Sequence, residues 1–498
     1  MNIDTFFRYW GLEENPFQAE EARDDPVYHR IMIDEMSHPD FDKIYGSPVR
    51  PSTAVVFGEK GSGKTAIRLL IERRLKQHNE KTPEHMNWIV NYDSLNPILD
   101  RIVRSKAGGK EDLSDIRLED HQDAILSIAV TELVDFLIGG DDRDLKNSKR
   151  VRKNVRKMSR QKRFDLAQLV ALYDQPTRTN AMTRWGKMKS FLRIGKILNT
   201  NVLFYISVIS LAIALAASVA VMLAPDALSI GASVLFGAIF LMASVLFVSE
   251  TLRVGALVKK LDKEIRVVDR QNNELKQKIS DLAGKELGTQ PMPLSDEQDG
   301  RYELTTRFMR VANELGYHCM TVLVDRVDEP VVVNGDANRM KSVIWPMLHN
   351  KFLQQDSVGF KLLLPIELSH ILRKESADFF LQARLDKQNM IERLEWTGAT
   401  LYDIASRRVK ACASKEAKLE RLTDLFEDDV ASQDVMDALD QMSQPRDAFK
   451  FLYRVIQEHC SNTSDDAPVY KVPKLVLDQI RKQQSQRVQD LQRGLRPA

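Results

Sequence analysis

The sequence predicts an α/β fold with a mostly parallel sheet, an inserted transmembrane helical hairpin and a helical region at the C-terminal end. Three observations carry that expectation. A glycine-rich segment follows a short apolar run at 52–57, a second apolar run at 319–324 ends in aspartate, and between them residues 202–248 carry one charge, Asp226. The chain has 498 residues, of which 43% are hydrophobic, with a net charge of +2 and a mean hydropathy of −0.32. Those averages exclude a disordered chain and a carrier built mainly from membrane helices. At roughly 100 to 200 residues per domain, the length suggests two to four structural units.

The opening MNIDTFFRYWGLEENPF has neither the basic start nor the apolar core of a signal peptide, so no cleaved leader is expected. Cys319, Cys412 and Cys460 are odd in number and far apart, which suits a reducing compartment and no zinc site.

Residues Ser52 to Phe57 read as a strand, followed by Gly58-Glu59-Lys60-Gly61-Ser62-Gly63-Lys64-Thr65 and the helical AIRLLIERRL. This is G-x-x-x-x-G-K-[ST] in a strand–loop–helix context. In such a loop the glycines let backbone N–H groups wrap phosphate oxygens at the positive end of a helix. Lys64 is placed to reach the β and γ phosphates, and the Thr65 hydroxyl to ligate Mg²⁺. Asn87 to Asp93 reads as a further strand.

From Lys146 to Arg163 come ten Lys/Arg (Lys146, Lys149, Arg150, Arg152, Lys153, Arg156, Lys157, Arg160, Lys162 and Arg163) and no acid, which leaves −8 on the rest of the chain. Anionic lipid headgroups or a topogenic role, nucleic acid, and a solvated helix face all fit such a run. It lacks the interleaved aromatics that stack bases.

Each half of 202–248 approaches the roughly 20 residues that cross a bilayer, with Pro225-Asp226 as the turn between them. Basic residues flank both ends: Arg184, Lys187, Lys189, Arg193 and Lys196 before, and Arg253, Lys259, Lys260 and Lys263 after. Both ends are therefore expected on the cytoplasmic side. Ala212, Ala216, Ser233 and Gly237 allow close packing, within the hairpin or between subunits. Beyond the second span, Leu252, Leu257, Leu261, Ile265, Val268, Leu275, Ile279 and Leu282 suit one long amphipathic helix, which GTQPMPLSDEQDG at 288–300 breaks as a linker.

The run 319–324 reads as a strand ending in Asp325-Arg326-Val327-Asp328-Glu329-Pro330. Asp325 at its carboxyl end is positioned to hold the Mg²⁺ shell, and Asp328 or Glu329 to position or deprotonate a water. About 255 residues separate Thr65 from Thr321, so the hairpin is an insertion rather than an appended anchor. Gly359 to Pro365 reads as another strand, and from about 397 onward TLYDIASRRVKAC, KLERLTDLF and Pro445-Arg446-Asp447-Ala448-Phe449 read as helices. The expected organisation is 1–140, the first part of the α/β domain; 141–200, a basic helical segment; 201–249, the hairpin; 250–300, amphipathic helix and linker; 301–396, the rest of the α/β domain; and 397–498, a helical lid.

With GEKGSGKT, VLVDRVDE and paired apolar helices between them, the chain resembles the KAP-type P-loop NTPases, a membrane-associated branch near the STAND and AAA+ ATPases. The resemblance is most specific over about 50–77, 200–250 and 319–330. It implies a P-loop NTPase fold with ATP and Mg²⁺ as cofactors, a cytoplasmic-membrane location, and an N-terminal segment near the adenine. It also implies that Arg446, in QPRDAFKFL, faces the nucleotide from the lid. Family members include phage-exclusion proteins and membrane signalling scaffolds. The function so implied is a membrane-tethered ATPase switch or homo-oligomeric assembly in bacterial anti-phage defence, the alternative being a nucleotide-locked scaffold that recruits an effector protein. The sequence departs from the family at Arg326, which stands where many relatives place a second acid, and at the strand ending in Pro365, which lacks a polar sensor unless Glu367 substitutes. Arg373, Arg384, Arg407 and Arg408 are candidates to act across a subunit boundary.

Overall fold

The computed structural model describes residues 1–18, 21–31, 38–104, 113–138, 153–176, 180–194, 200–223, 227–282, 291–294, 299–417, 419 and 421–492. The chain divides into two compact units, Met1–Pro83 with Thr321–Ala498, and Glu84–Met320. The first boundary falls well before the basic segment at which the sequence pattern suggests it.

Five strands form one all-parallel sheet: β1 (Ala54–Gly58), β2 (Met86–Tyr92), β3 (Tyr317–Val324), β4 (Val358–Pro365) and β5 (Asn389–Ile391), in the order β2-β3-β4-β1-β5. Every residue of β1 and β4 is buried, as continuous apolar runs in a parallel sheet require. β1 pairs with β4 from Ala54 opposite Lys361 to Gly58 opposite Pro365, and with β5 on its other edge. That register brings the carboxyl end of β4 level with the start of the glycine-rich loop.

Lys361 is the exception to the apolar rule in β4. It is 1% exposed, its Nζ donates to the Ser52 carbonyl at 2.6 Å, and burial pushes its pKa down to about 7. In the unfolded chain the amine titrates near 10.5, so below pH 7 the fold carries the whole cost of burying an ammonium; between pH 7 and 10 that cost fades, because only the unfolded state still holds the proton. Lys361→Met, similar in volume, is expected to stabilise the protein by on the order of 3 kcal/mol at pH 6. The gain should shrink steadily toward pH 10 in thermal-unfolding measurements.

In the first unit the helices Gly398–Cys412, Ser432–Asp440, Pro445–Ser461 and Lys474–Gln492 enclose a second core. KLERLTDLF contributes only the 3-10 turn Leu422–Leu425, with residues 418 and 420 outside the described set. The N-terminal helix Ile3–Tyr9 belongs with this core: Phe6, Phe7, Trp10 and Leu12 pack with Leu401, Phe451 and Leu477, and the Trp10 indole donates to the Tyr470 carbonyl at 2.8 Å. The apolar residues of the opening segment are thus core residues. All three cysteines are buried, and none forms a disulfide.

The second unit is a helical bundle built on Leu118–Ile138, Arg160–Tyr173, Ala181–Leu192, Asn272–Leu282 and Gly300–Glu314. From it rise two helices long and apolar enough to cross a membrane, Leu203–Leu223 and Ile230–Glu264. Only 11% and 6% of their apolar windows are buried, unlike the core helix of a soluble fold. They pack on each other through Phe204 with Phe247 and a 2.8 Å Ser207–Ser244 hydrogen bond. A Cβ added at Gly237 meets nothing within 4 Å, so that glycine is not part of the seam. Pro225 and Asp226 lie outside the described residues.

The single amphipathic helix expected after the second apolar stretch is in fact two. The long helix stops at Glu264, where the β-branched run Ile265, Val267 and Val268 disfavours a further turn and is buried instead. The Glu264 carbonyl accepts from Arg301 at 3.4 Å and Arg117 at 3.5 Å. Arg301 also grips Asp123 in a two-pronged pair, Nε–Oδ1 3.0 Å and Nη2–Oδ2 2.9 Å, and the Tyr173 hydroxyl donates to Asp123 at 2.8 Å. Asp123 is fully buried, and desolvation outweighs these partners to push its carboxyl up to about 6.

Candidate functional site

The loop 58–65 joins β1 to the helix Lys64–Lys81. Gly61 and Gly63 sit at φ 98° and 89°, backbone that side chains resist, and a Cβ on Gly61 would lie 2.9 Å from the Arg446 Cβ. The sequence therefore needs glycine at 61 for both conformation and space. At the helix start the first N–H groups have no intrahelical partner, which makes this end attractive to an anion.

Lys64 folds back over the loop, its Nζ donating to the carbonyls of Gly58 at 2.8 Å and Glu59 at 2.9 Å. An ammonium has three donors, so two such bonds fix its direction and leave one donor. Burial pushes its pKa down, while Asp325, Asp328 and Glu367 act the other way. Thr65 Oγ1 donates to Asp325 Oδ2 at 2.8 Å, joining the loop to the end of β3 across 260 positions of sequence. Asp325 is 1% exposed, and burial pushes its carboxyl up against the opposing pull of Thr65, Arg68 and Lys64.

Hydroxyl and carboxylate oxygens side by side are hard donors that fit Mg²⁺, which keeps several waters and takes only one or two carboxylates from protein. Among the described residues no group of three or more His, Cys, Asp or Glu could hold a metal ion. A cation at Thr65 and Asp325 would need oxygens from a ligand to complete its shell.

The two candidate bases separate in their surroundings. Arg326, in the left-handed region at φ 62°, is ion-paired with Glu329, whose side chain is about half exposed, whereas Asp328 has no such ion-pair partner among the described residues. Asp328, Glu329 and Glu367 all line one cavity of about 720 Å³, and of these Asp328 and Glu367 act electrostatically on Lys64. That cavity also takes in Lys60, Thr65, Asp325 and Arg446, and its apolar wall includes Tyr28, Leu70, Ile404 and Phe449.

Several contacts on the loop have no signal in the sequence. Trp396 Nε1 donates to the Ser62 carbonyl at 2.7 Å, Arg393 pairs with Glu59 at 2.6 Å, and Gln444 donates to the other Glu59 oxygen. The Arg446 backbone N–H reaches the Gly61 carbonyl at 3.4 Å, while its Nε and the Ser62 hydroxyl are buried without a hydrogen-bond partner. Orphaned donors beside a cavity are where an anionic ligand would satisfy them.

Arg408 is not the surface residue its charge suggests. It is 2% exposed, donates to the Pro16 carbonyl at 2.5 Å and Asp25 at 2.6 Å, and lies 4.7 Å from the Phe449 ring centroid. Its buried pair with Asp25 fastens the N-terminal segment to the helix Gly398–Cys412, so it does not reach outward to a neighbour. Arg373 and Arg384 pair locally with Glu392 at 2.9 Å and Asp386 at 3.2 Å, and Arg407 is exposed. Comparison with protein-family models, curated proteins and solved structures finds no match, so this site is read from its own residues and geometry.

Proposed function

We propose that the chain is a membrane-tethered ATPase of the KAP-type P-loop class, working as a nucleotide-dependent switch or homo-oligomeric assembly. The observation that carries this reading is the 2.8 Å Thr65–Asp325 contact beside Lys64 in a glycine-built loop. Loop N–H groups and Lys64 would hold the β and γ phosphates, and Thr65 and Asp325 would hold Mg²⁺. When bound, Mg²⁺ supplies charge neutralisation on the phosphate oxygens. Asp328 orients the attacking water, since Glu329 is held by Arg326. Arg446 and Gln444 bring the C-terminal helices onto the loop as a lid, so occupancy of the phosphate position is felt there. The two apolar helices span the cytoplasmic membrane with both chain ends on the inner side. We assign the biology to bacterial anti-phage defence on the resemblance alone.

The test is phosphate release from ATP by the full chain in lipid discs, with Mg²⁺ and with EDTA, alongside equilibrium binding of ATP. Absence of both binding and release would refute the reading. One feature favours a second reading, a nucleotide-locked scaffold that recruits an effector: Arg326 stands beside Asp325 and neutralises Glu329, leaving fewer free carboxylates for turnover. Tightly bound ADP that never exchanges, with no phosphate release, would select it.

A further inference from the structure

We propose that two separately encoded basic segments, 153–163 and 187–193, form one surface for anionic phospholipid headgroups at the point where the hairpin enters the membrane. This rests on reading the two apolar helices as spans. The long helix Ala227–Glu264 leaves its apolar stretch near Val248 and continues for about 24 Å at 1.5 Å per residue. The chain then reverses, and Asn272–Leu282 runs back along it: the Asn272 amide lies 3.0 Å from the Asp262 carboxylate, and Leu275, Ile279 and Leu282 are buried, as are Val254, Val258 and Leu261. Nine residues of return bring Asp281 to within roughly 10 Å of the level of Val248.

Asp281 accepts from the Trp185 indole at 2.8 Å and from Lys189 at 3.0 Å, which sets the end of the helix Ala181–Leu192 at that level. A second ladder agrees. The helix Arg160–Tyr173 has its far end at the reversal, where Arg270 donates to the Leu172 carbonyl at 2.5 Å, and its near end beside Leu192, whose carbonyl accepts from Arg163 at 3.0 Å. The Arg156 guanidinium lies 5.7 Å from the Phe191 ring centroid. The membrane-side end of the bundle thus collects Lys153, Arg156, Lys157, Arg160, Lys187 and Arg193, all exposed.

Neither 153–163 nor 181–193 contains an acid, and the carboxylates bonded to them are each held by a cation: Asp281 by Lys189, Glu314 by Lys162, Asp165 by Arg307, and Asp135 and Asp174 by Arg184. Phe191, the aromatic of this surface, is covered by Arg156, so it offers no open ring for base stacking. Charge complementarity and continuity with the first apolar helix, which starts at Thr200, select a lipid surface over nucleic acid.

The test extracts the full chain from vesicles of equal phosphatidylglycerol and phosphatidylcholine into polymer-bounded discs and quantifies the lipids. Discs with the protein are expected to be enriched in phosphatidylglycerol by about threefold or more over empty discs, and the enrichment should fall in high salt. Changing the six cations to Gln should abolish most of it, while the lysines changed to Arg should retain it. Equal enrichment in the Gln variant overturns the proposal, as does a duplex oligonucleotide that binds the surface and displaces the lipid. A chain that washes off membranes in carbonate overturns the spanning helices and this proposal together, whereas discs with protein but no enrichment overturn this proposal alone.

Discussion

Lys64→Ala is expected to lower ATP affinity or turnover by on the order of 10²- to 10³-fold, because it removes a positive charge from a desolvated position where water cannot replace it. The protein should still fold. The loss removes one donor each from the Gly58 and Glu59 carbonyls, of which Glu59 keeps the Ser62 N–H at 3.1 Å, a cost of about 1 kcal/mol, and the loop keeps its anchors through Trp396, Arg393 and Gln444. Lys76→Ala, on the same helix but paired at the surface with Glu72, should leave both quantities unchanged. Phosphate release at the parental rate from Lys64→Ala would remove the basis for the ATPase reading.

Arg301→Met should be the most damaging substitution in the second unit. It leaves Asp123 buried with only the Tyr173 hydroxyl, a loss of about 3 to 5 kcal/mol, or roughly 10 °C in apparent melting temperature. The pH dependence has a definite sign. Asp123 already holds its proton more tightly when folded, with its carboxyl near 6, so stability declines as pH rises from about 4 to 6 and then levels. Without Arg301 the folded carboxyl moves higher still. The decline then continues above pH 6, and the deficit of the variant grows between pH 5 and 8. Asp123→Leu combined with Arg301→Met should recover part of the loss, since the apolar pair buries no charge, the remainder being the Tyr173 hydroxyl left without its acceptor. A melting temperature unchanged by Arg301→Met would show that the pair contributes nothing.

What the sequence made legible follows from which interactions are local. β1, β3 and β4 are dominated by apolar residues, Lys361 being the charged exception, because parallel strands are covered on both faces, and the loop needs glycine for its own backbone. β5 escaped because three residues, Asn389-Met390-Ile391, carry no period. The site divides in the same way. Lys64 and Thr65 are legible at the start of the helix after the glycine loop and Asp325 at the end of β3, while Trp396 and Gln444 act on the loop from 334 and 385 positions away, where no pattern connects them. Arg408 reads as a candidate to act across a subunit boundary because its partner Asp25 lies 383 positions off, where no local pattern connects them. The break at Glu264 was masked because the buried reversal supplies apolar residues at spacings a helix would also produce.

The pairing of β1 has a consequence for the order in which the molecule is made. Its two neighbours, β4 and β5, lie at Val358–Pro365 and Asn389–Ile391, so β1 leaves the ribosome with both edges open. At about 5 to 20 residues per second it waits on the order of tens of seconds for a partner. Both apolar helices are synthesised within that interval, and so is the whole second unit. The contact between Thr65 and Asp325 therefore cannot form until 260 residues after Thr65 is made. An open apolar strand is prone to pairing with other chains, so the nascent protein is most vulnerable to aggregation between the synthesis of β1 and of β4.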